Sequence, residues 1–373
     1  MKNIAYYISD YGYGHASRSI AIMRKLLENR NLNIIVCHSF ALPFIKASIN
    51  CNRISYREIG TDIGYFLEKD SIFPDKIQLL EQYKKFTSNW ESKIKKEQKF
   101  LSDNRVDLVL SDISPLPFEA ARNLGIPSVG ISNFTWYSAY HGLIDHSELL
   151  LLKNAYSKMD YFFSLAGSKE KWDISIKEYG YFSREVNLRE VDRIRQWVNP
   201  ENNKSIIFLG LGMKIDVASL EQLSIWNSPN CVFLVSSNVN VNYPNVYQIS
   251  RDYLESQNFI AASDLVISKA GWGIIGEALS ADVPLLILNR PSMKEDQNTI
   301  DYLIQRNLCK TINWEEFKTY HINLSIINEL KSSIKKNSSY HQKQIEKIVA
   351  DLMKISNMQQ LGKVKKFDLV RQC

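Results

Sequence analysis

Apolar positions along the chain follow two alternating patterns. Short continuous runs, rich in β-branched and aromatic residues, are separated by longer stretches in which apolar residues recur every three or four positions. In the first half the runs are 4–9, 34–38, 54–59, 108–110, 128–131 and 161–165. In the second half they are 205–211, 232–235, 246–249, 265–267 and 284–288. Runs that are apolar throughout and alternate with helices predict parallel strands covered on both faces. About eleven strands are too many for one ordinary sheet. The pattern predicts an α/β protein of two doubly wound, Rossmann-like domains facing each other across a cleft.

The break is expected at Gly180-Tyr181-Phe182-Ser183, which gives an N-terminal domain over 1–182 and a C-terminal domain over 183–350. A charged helix over 185–198 follows the break. Residues 326–358 read as one or two amphipathic, lysine-rich helices. Residues 351–373 read as a terminal helix and basic tail that packs back on the N-terminal domain and frays at its end. One long helix is expected over 75–102, with Leu79, Tyr83, Phe86, Trp90, Ile94 and Leu101 on one face. Its other face is basic: residues 84–105 hold seven Lys/Arg against three acids. The plainer reading is a solvated surface. The sharper one is a face that meets an anionic acceptor or a lipid headgroup.

Length agrees with the pattern, since 373 residues suggest two domains at roughly 150 each. A 45% hydrophobic content supplies two cores and excludes disorder as the main state. No apolar stretch approaches a membrane span, and the start runs straight into a strand without a signal-peptide pattern. The five cysteines are spread out and form no Cys-x-x-Cys pair, so reduced thiols are expected rather than a zinc knuckle or a disulfide framework. These features suggest a cytoplasmic protein. The basic helix and tail add a reading of peripheral contact at the inner membrane face. The net charge of +6 suits a phosphorylated ligand or an anionic membrane surface. No nucleic-acid-binding motif accompanies it, so a nucleic-acid partner is not expected.

Four strand-to-helix junctions carry candidate chemistry. The first, Asp10-Tyr11-Gly12-Tyr13-Gly14-His15-Ala16-Ser17-Arg18, follows the first strand. Gly12 and Gly14 let the backbone approach a ligand, and the helix start disfavours an imidazolium, leaving His15 neutral as a general base. Ser17 stands where a dinucleotide fingerprint needs glycine, which disfavours NAD. The plainer reading of His15 is a capping or core residue. The second is Ser111-Asp112, past a buried strand, where Asp112 can orient His15 or cap a turn. Asn133 follows the next strand and would line the same cleft.

The third is Ser268-Lys269-Ala270-Gly271-Trp272-Gly273-Ile274-Ile275-Gly276-Glu277. Gly271 and Gly273 at a helix start expose N–H donors suited to a diphosphate, and Lys269 adds a point charge. Glu277 can accept from ribose hydroxyls. Any Rossmann-like unit can also carry such a turn. The fourth is Glu295-Asp296-Gln297, suited to sugar hydroxyls or, more plainly, to capping a helix. Asp-x-Asp occurs nowhere, so no metal site is expected. A P-loop and a Gly-x-Ser-x-Gly elbow are also missing.

Lys269–Glu277 followed by Asp296-Gln297 resembles the donor signature of GT-B glycosyltransferases. It is similar to both the plant secondary-product enzymes and the peptidoglycan lipid-intermediate N-acetylglucosaminyltransferase. It departs at Lys269, where the plant signature has histidine, and at Gly273-Ile274, where it has Asn-Ser. Gly12–Ser19, Asp107–Pro115 and Gly125–Trp136 resemble the glycosyltransferase-like N-terminal domain of L-arabinokinases, whose kinase half has no counterpart here. The resemblance implies a hexosyltransferase-type enzyme that moves a sugar, with inversion and without metal or other cofactor, from a nucleotide diphosphate sugar, with UDP as its nucleotide. The acceptor is a hydroxyl on a small molecule or a lipid-linked molecule. Implied roles are base for His15 and its orienter for Asp112. Gly12, Gly14 and Asn133 are on the acceptor side. Gly212, Lys269, Gly271, Trp272, Gly273, Glu277, Glu295, Asp296 and Gln297 are on the donor side. Two alternatives stand beside this reading: a nucleotide-sugar hydrolase or epimerase on the same fold, and a non-catalytic nucleotide-sugar-binding module.

Overall fold

The computed structural model describes residues 1–69, 73–212, 220–333 and 338–370. Seven parallel strands form the first sheet: β1 (Lys2–Ile8), β2 (Leu32–His38), β3 (Ile54–Glu58), β4 (Leu108–Asp112), β5 (Ser128–Ser132), β6 (Tyr161–Leu165) and β7 (Ser175–Tyr179). Their order is β3-β2-β1-β4-β5-β6-β7. Six more form the second: β8 (Ser205–Gly210), β9 (Cys231–Val235), β10 (Val246–Gln248), β11 (Leu265–Lys269), β12 (Leu285–Leu288) and β13 (Cys309–Ile312). They are also parallel, in the order β10-β9-β8-β11-β12-β13.

Both sheets are doubly wound. Their order reverses between β1 and β4 in the first and between β8 and β11 in the second. Such switch points open the crevices in which α/β proteins hold ligands. The inner strands are apolar because both faces are covered; β4, β5 and β9 are buried at every position. The two strands missed in the sequence, β7 and β13, are edge strands with mixed burial. A half-solvated edge carries Lys, Glu and Thr, so no continuous apolar run marks it.

The helix expected over 75–102 is two helices, Lys76–Thr87 and Trp90–Asp103. Asn89 between them takes a left-handed conformation (φ 55), which asparagine tolerates better than most residues. The helix expected from 185 begins at Leu188, where the Asn187 side chain accepts from the first-turn N–H groups of Arg189 and Glu190.

The helix Tyr13–Leu26 covers the Ile4, Tyr6 and Ile8 face of the first sheet. Trp90–Asp103 and Leu116–Leu124 cover the opposite face, that of Ala5 and Tyr7. One apolar cluster runs from Ile20 and Met23 through Phe182 and Trp272 to Ile348 and Leu352, joining both sheets. The final helix, Ser338–Val370, runs unbroken across residue 350 and packs against Tyr13–Leu26 and Trp272–Ser280. Tyr179 donates to Asp351 at 2.9 Å, and Lys2 Nζ donates to the Ser356 carbonyl at 2.6 Å. Among the described residues, no helix is long and apolar enough to cross a membrane.

Candidate functional site

The end of β4 and the start of the helix after β1 meet at the first switch point. There His15 Nδ1 lies 2.9 Å from Asp112 Oδ1, and both residues are buried. Arg18, one helical turn after His15, grips the same carboxylate: Nε donates to Oδ2 at 2.6 Å and Nη2 to Oδ1 at 2.5 Å. Its remaining donors reach Asn133 Oδ1 at 2.9 Å and Ser132 Oγ at 3.1 Å. Burial alone would raise the Asp112 pKa, but Arg18 and His15 outweigh it and hold the carboxyl at about 2. Burial lowers the His15 pKa below its ordinary 6.5; Asp112 pulls upward, Arg18 pushes further down, and the net shift is downward. At neutral pH the pair is therefore a neutral imidazole beside a carboxylate.

Asp112 already receives both guanidinium bonds, and its remaining charge favours a proton on His15 Nδ1. That tautomer leaves Nε2 with a free lone pair. Phe134 packs edge-on against the His15 ring, at 6.0 Å. Beyond it, Trp136, Tyr11, Tyr65 and Tyr140 form a connected aromatic cluster, in which Trp136, Tyr65 and Tyr140 are buried in the core of the first domain.

Lys269 and Gly212 stand at the second switch point. Gly212 follows β8 with φ +89, and the Lys269 side chain runs beside it and over the Tyr11 ring, at 5.8 Å. Gly271 caps the helix Trp272–Ser280, and its own N–H turns back to the Lys269 carbonyl at 2.7 Å. Gly273 faces the first loop: a Cβ on it would lie 3.2 Å from the Gly14 Cα. The two switch points are thus brought together through Gly14 and Gly273, and Gly12 caps the His15 helix from the same loop.

The other donor-side candidates are engaged by protein partners. Trp272 belongs to the domain junction: its indole N–H donates to the Ala166 carbonyl at 3.0 Å, and its ring packs on Tyr181 and Phe182. Arg18 lies over that ring at 5.1 Å. Glu277, 4% exposed, accepts from the buried Arg184 at 2.8 Å, and Arg184 also donates to Leu254 O and Ser256 Oγ. Asp296 is held by both arms of Arg290, at 2.6 and 2.9 Å. Gln297 Nε2 donates to Asn289 at 2.7 Å.

Glu295 accepts from Tyr65 of the first domain. Burial, with the neighbouring Asp296 charge, pushes its carboxyl up to about 7. Gln297 and Lys294 also line an open cavity of about 540 Å3, facing His141 and Leu143 of the first domain.

Sequence reasoning missed Arg18, Arg184, Arg290 and Tyr65. Only Arg18 had a local signal, its three-residue step from His15. The partners of the others, apart from the nearby Asp296, lie 93 and 230 residues away.

Two facing Rossmann-like sheets, each with a helix start at its switch point, make up the GT-B fold. Both domains match glycosyltransferase family models: residues 2–154 match glycosyl transferase family 1, and residues 236–356 match the glycosyltransferase family 28 C-terminal domain. Among curated proteins the chain is 25% identical over 307 residues to an L-arabinokinase of Arabidopsis thaliana, covering 78% of this chain and 28% of that protein. The chain therefore spans little more than a quarter of that relative. Its fold is that of the glycosyltransferase SnogD from Streptomyces nogalater (TM-score 0.61, 13% identity, 95% of this chain and 100% of that one). It also matches Phytolacca americana UGT2, solved with UDP-2fluoro-glucose and pterostilbene (TM-score 0.60, 10% identity, 96% and 94% covered).

Proposed function

We propose that this chain transfers a sugar from a nucleotide diphosphate sugar to a hydroxyl acceptor, with inversion at the anomeric carbon and without a metal ion. The observation that carries this reading is the His15–Asp112 pair at one switch point, joined through Gly14 and Gly273 to the glycine-rich helix start at the other. His15 Nε2 takes the acceptor's O–H proton as that oxygen attacks the anomeric carbon. The bond to the diphosphate breaks, and the leaving group departs with the electron pair. Direct displacement from one side inverts the centre. A helix leaves its first N–H groups without internal partners, so those of Trp272, Gly273 and Ile274 can receive the diphosphate, with Lys269 adding positive charge. Glu277 serves the ribose, while Glu295 and Gln297 serve the donor sugar. UDP is the proposed nucleotide, since a neighbour of the same fold is solved with UDP-2fluoro-glucose. The proposed acceptor is a hydroxyl on a small or lipid-linked molecule.

The second reading, a nucleotide-sugar-binding module without turnover, draws on one contact. Arg18 Nη2 lies 2.9 Å from His15 Nδ1. If that bond takes the Nδ1 lone pair, the proton sits on Nε2 and no base faces the cleft. Incubation with UDP-sugars and a panel of hydroxyl acceptors, in chelator, decides between the two. UDP release with an inverted anomeric product by NMR supports transfer. Tight UDP-sugar binding with no nucleotide release supports the module, and restoration of turnover by magnesium or manganese alone rejects the metal-free step.

A further inference from the structure

The first domain holds a second cavity, of about 410 Å3, that the transfer cleft does not use. It lies beside the β3 edge, under the two helices Lys76–Thr87 and Trp90–Asp103. Of the two, Trp90–Asp103 covers the Ala5 and Tyr7 side of the sheet, whereas the His15 helix covers the other side. The cavity's inner wall is apolar: Ile59, Ile63, Phe86 and Leu116 line it.

Its charge is one-sided. Arg57 and Glu97 at the base neutralise each other through paired bonds of 2.6 and 2.7 Å, and Tyr7 adds a third bond to the same carboxylate at 2.6 Å. Lys85, Lys93 and Lys96 remain. Among the described residues, no carboxylate lies within 4 Å of any of the three ammonium groups. Lys93 donates to the Phe86 carbonyl and lies over the Phe86 ring at 4.8 Å. Its pKa is lowered by burial and by the charge of Lys96, so like charges are being held together. Three cations around an apolar hollow, with their repulsion uncompensated, are complementary to an anion attached to an apolar group.

We propose that this cavity is a binding site for an amphipathic anion: a phosphate group carried on a hydrocarbon chain. The phosphate sits among Lys85, Lys93 and Lys96, and the chain fills the hollow between Phe86 and Leu116. The same chemistry is offered by a free alkyl or prenyl phosphate and by a phosphate-bearing lipid in a bilayer. The site does not depend on the transfer reaction.

The test uses the full chain and octyl phosphate below its micellar concentration, with binding measured by calorimetry. Octyl glucoside and inorganic phosphate serve as the uncharged and chainless comparisons. Octyl phosphate is expected to bind at least tenfold more tightly than either. A triple variant, K85Q/K93Q/K96Q, should lose that binding by tenfold or more. The variant K84Q/K95Q/K99Q removes the same charge from the same two helices outside the cavity, and should bind octyl phosphate within about twofold of the parent. Co-sedimentation with vesicles of phosphatidylglycerol and phosphatidylcholine distinguishes the sources. Pelleting that only the first triple abolishes assigns the site to a membrane lipid, and its absence, with octyl phosphate still bound, assigns the site to a free amphiphile. Equal loss in both triples, or equal affinity for octyl phosphate and octyl glucoside, would overturn the proposal.

Discussion

Gly14 and Gly273 bring the two domains into backbone contact at the centre of the cleft: a Cβ on Gly273 would stand 3.2 Å from the Gly14 Cα and 3.3 Å from its carbonyl oxygen. The spacing of the acceptor loop from the donor loop is therefore set by the absence of a side chain. Gly273→Ala must push one loop by a few tenths of an ångström. Overpacking of this kind costs about 1–3 kcal/mol. We expect a modest fall in Tm and a larger fall in turnover, because small misplacements of reacting groups are expensive. Full activity at unchanged Tm would show that this contact does not set the spacing.

His15 and Asp112 differ in what their removal leaves behind. His15→Ala keeps the Arg18–Asp112 ion pair, so the protein should stay folded and bind donor while transfer falls roughly 10²–10⁴-fold. Asp112→Ala strands the Arg18 guanidinium, which is only 3% exposed, and breaking such a buried pair costs about 3–5 kcal/mol. Melting curves of the two variants, read beside turnover, separate the base from the scaffold. Near-normal turnover in folded His15→Ala would remove it as the base. In the parent protein, kcat/KM should decline only below pH 6.5, since His15 titrates below that value.

Glu277 requires a conservative substitution. Glu277→Ala would leave Arg184 buried and unpaired, and should destabilise by about 3–5 kcal/mol. Glu277→Gln keeps an oxygen for Arg184 and should fold. Its affinity for UDP-sugar should drop by roughly 1.5–3 kcal/mol, the worth of hydrogen bonds to a charged group. Unchanged affinity by calorimetry in the Gln variant would take Glu277 out of the ribose site.

Glu295 ties stability to pH. Its folded pKa of about 7 lies above the ordinary 4.5, so the stability it contributes is complete below about pH 4.5 and is lost as pH rises through 7. Glu295→Gln keeps an acceptor for Tyr65 and removes this titration. Between pH 5 and 8.5 the variant's Tm should fall less than the parent's. Asp62, raised to about 7 mainly by burial and then by the Asp10 charge, leaves a residual dependence in both. Parallel Tm curves would reject the role of Glu295.

The inner strands were legible because strands buried on both faces read as continuous apolar runs, and the placement of His15 and Lys269 at the switch points because both stand, with glycines, where strands give way to helices. Edge strands β7 and β13 were not legible, since one side of each carries polar residues. The helix break at Asn89 was hidden because the apolar spacing continues through it. The role of Arg18 was missed for another reason: an arginine in the second turn of a helix usually points to water. The arginine clamps on Glu277 and Asp296 arise only when the sheets fold face to face, so residues read as ligand contacts from their local motif are held partly by the protein itself.

The bond from Lys2 to the Ser356 carbonyl joins positions 354 residues apart. On the ribosome, the strand that starts the first sheet emerges long before the helix that seals it. At 5–20 residues per second, the wait is roughly 20–70 s. Until then the surfaces later covered by Ile348, Leu352 and Ile355 stay open to solvent. The first domain therefore waits for a distant part of the chain before its last apolar surface is covered.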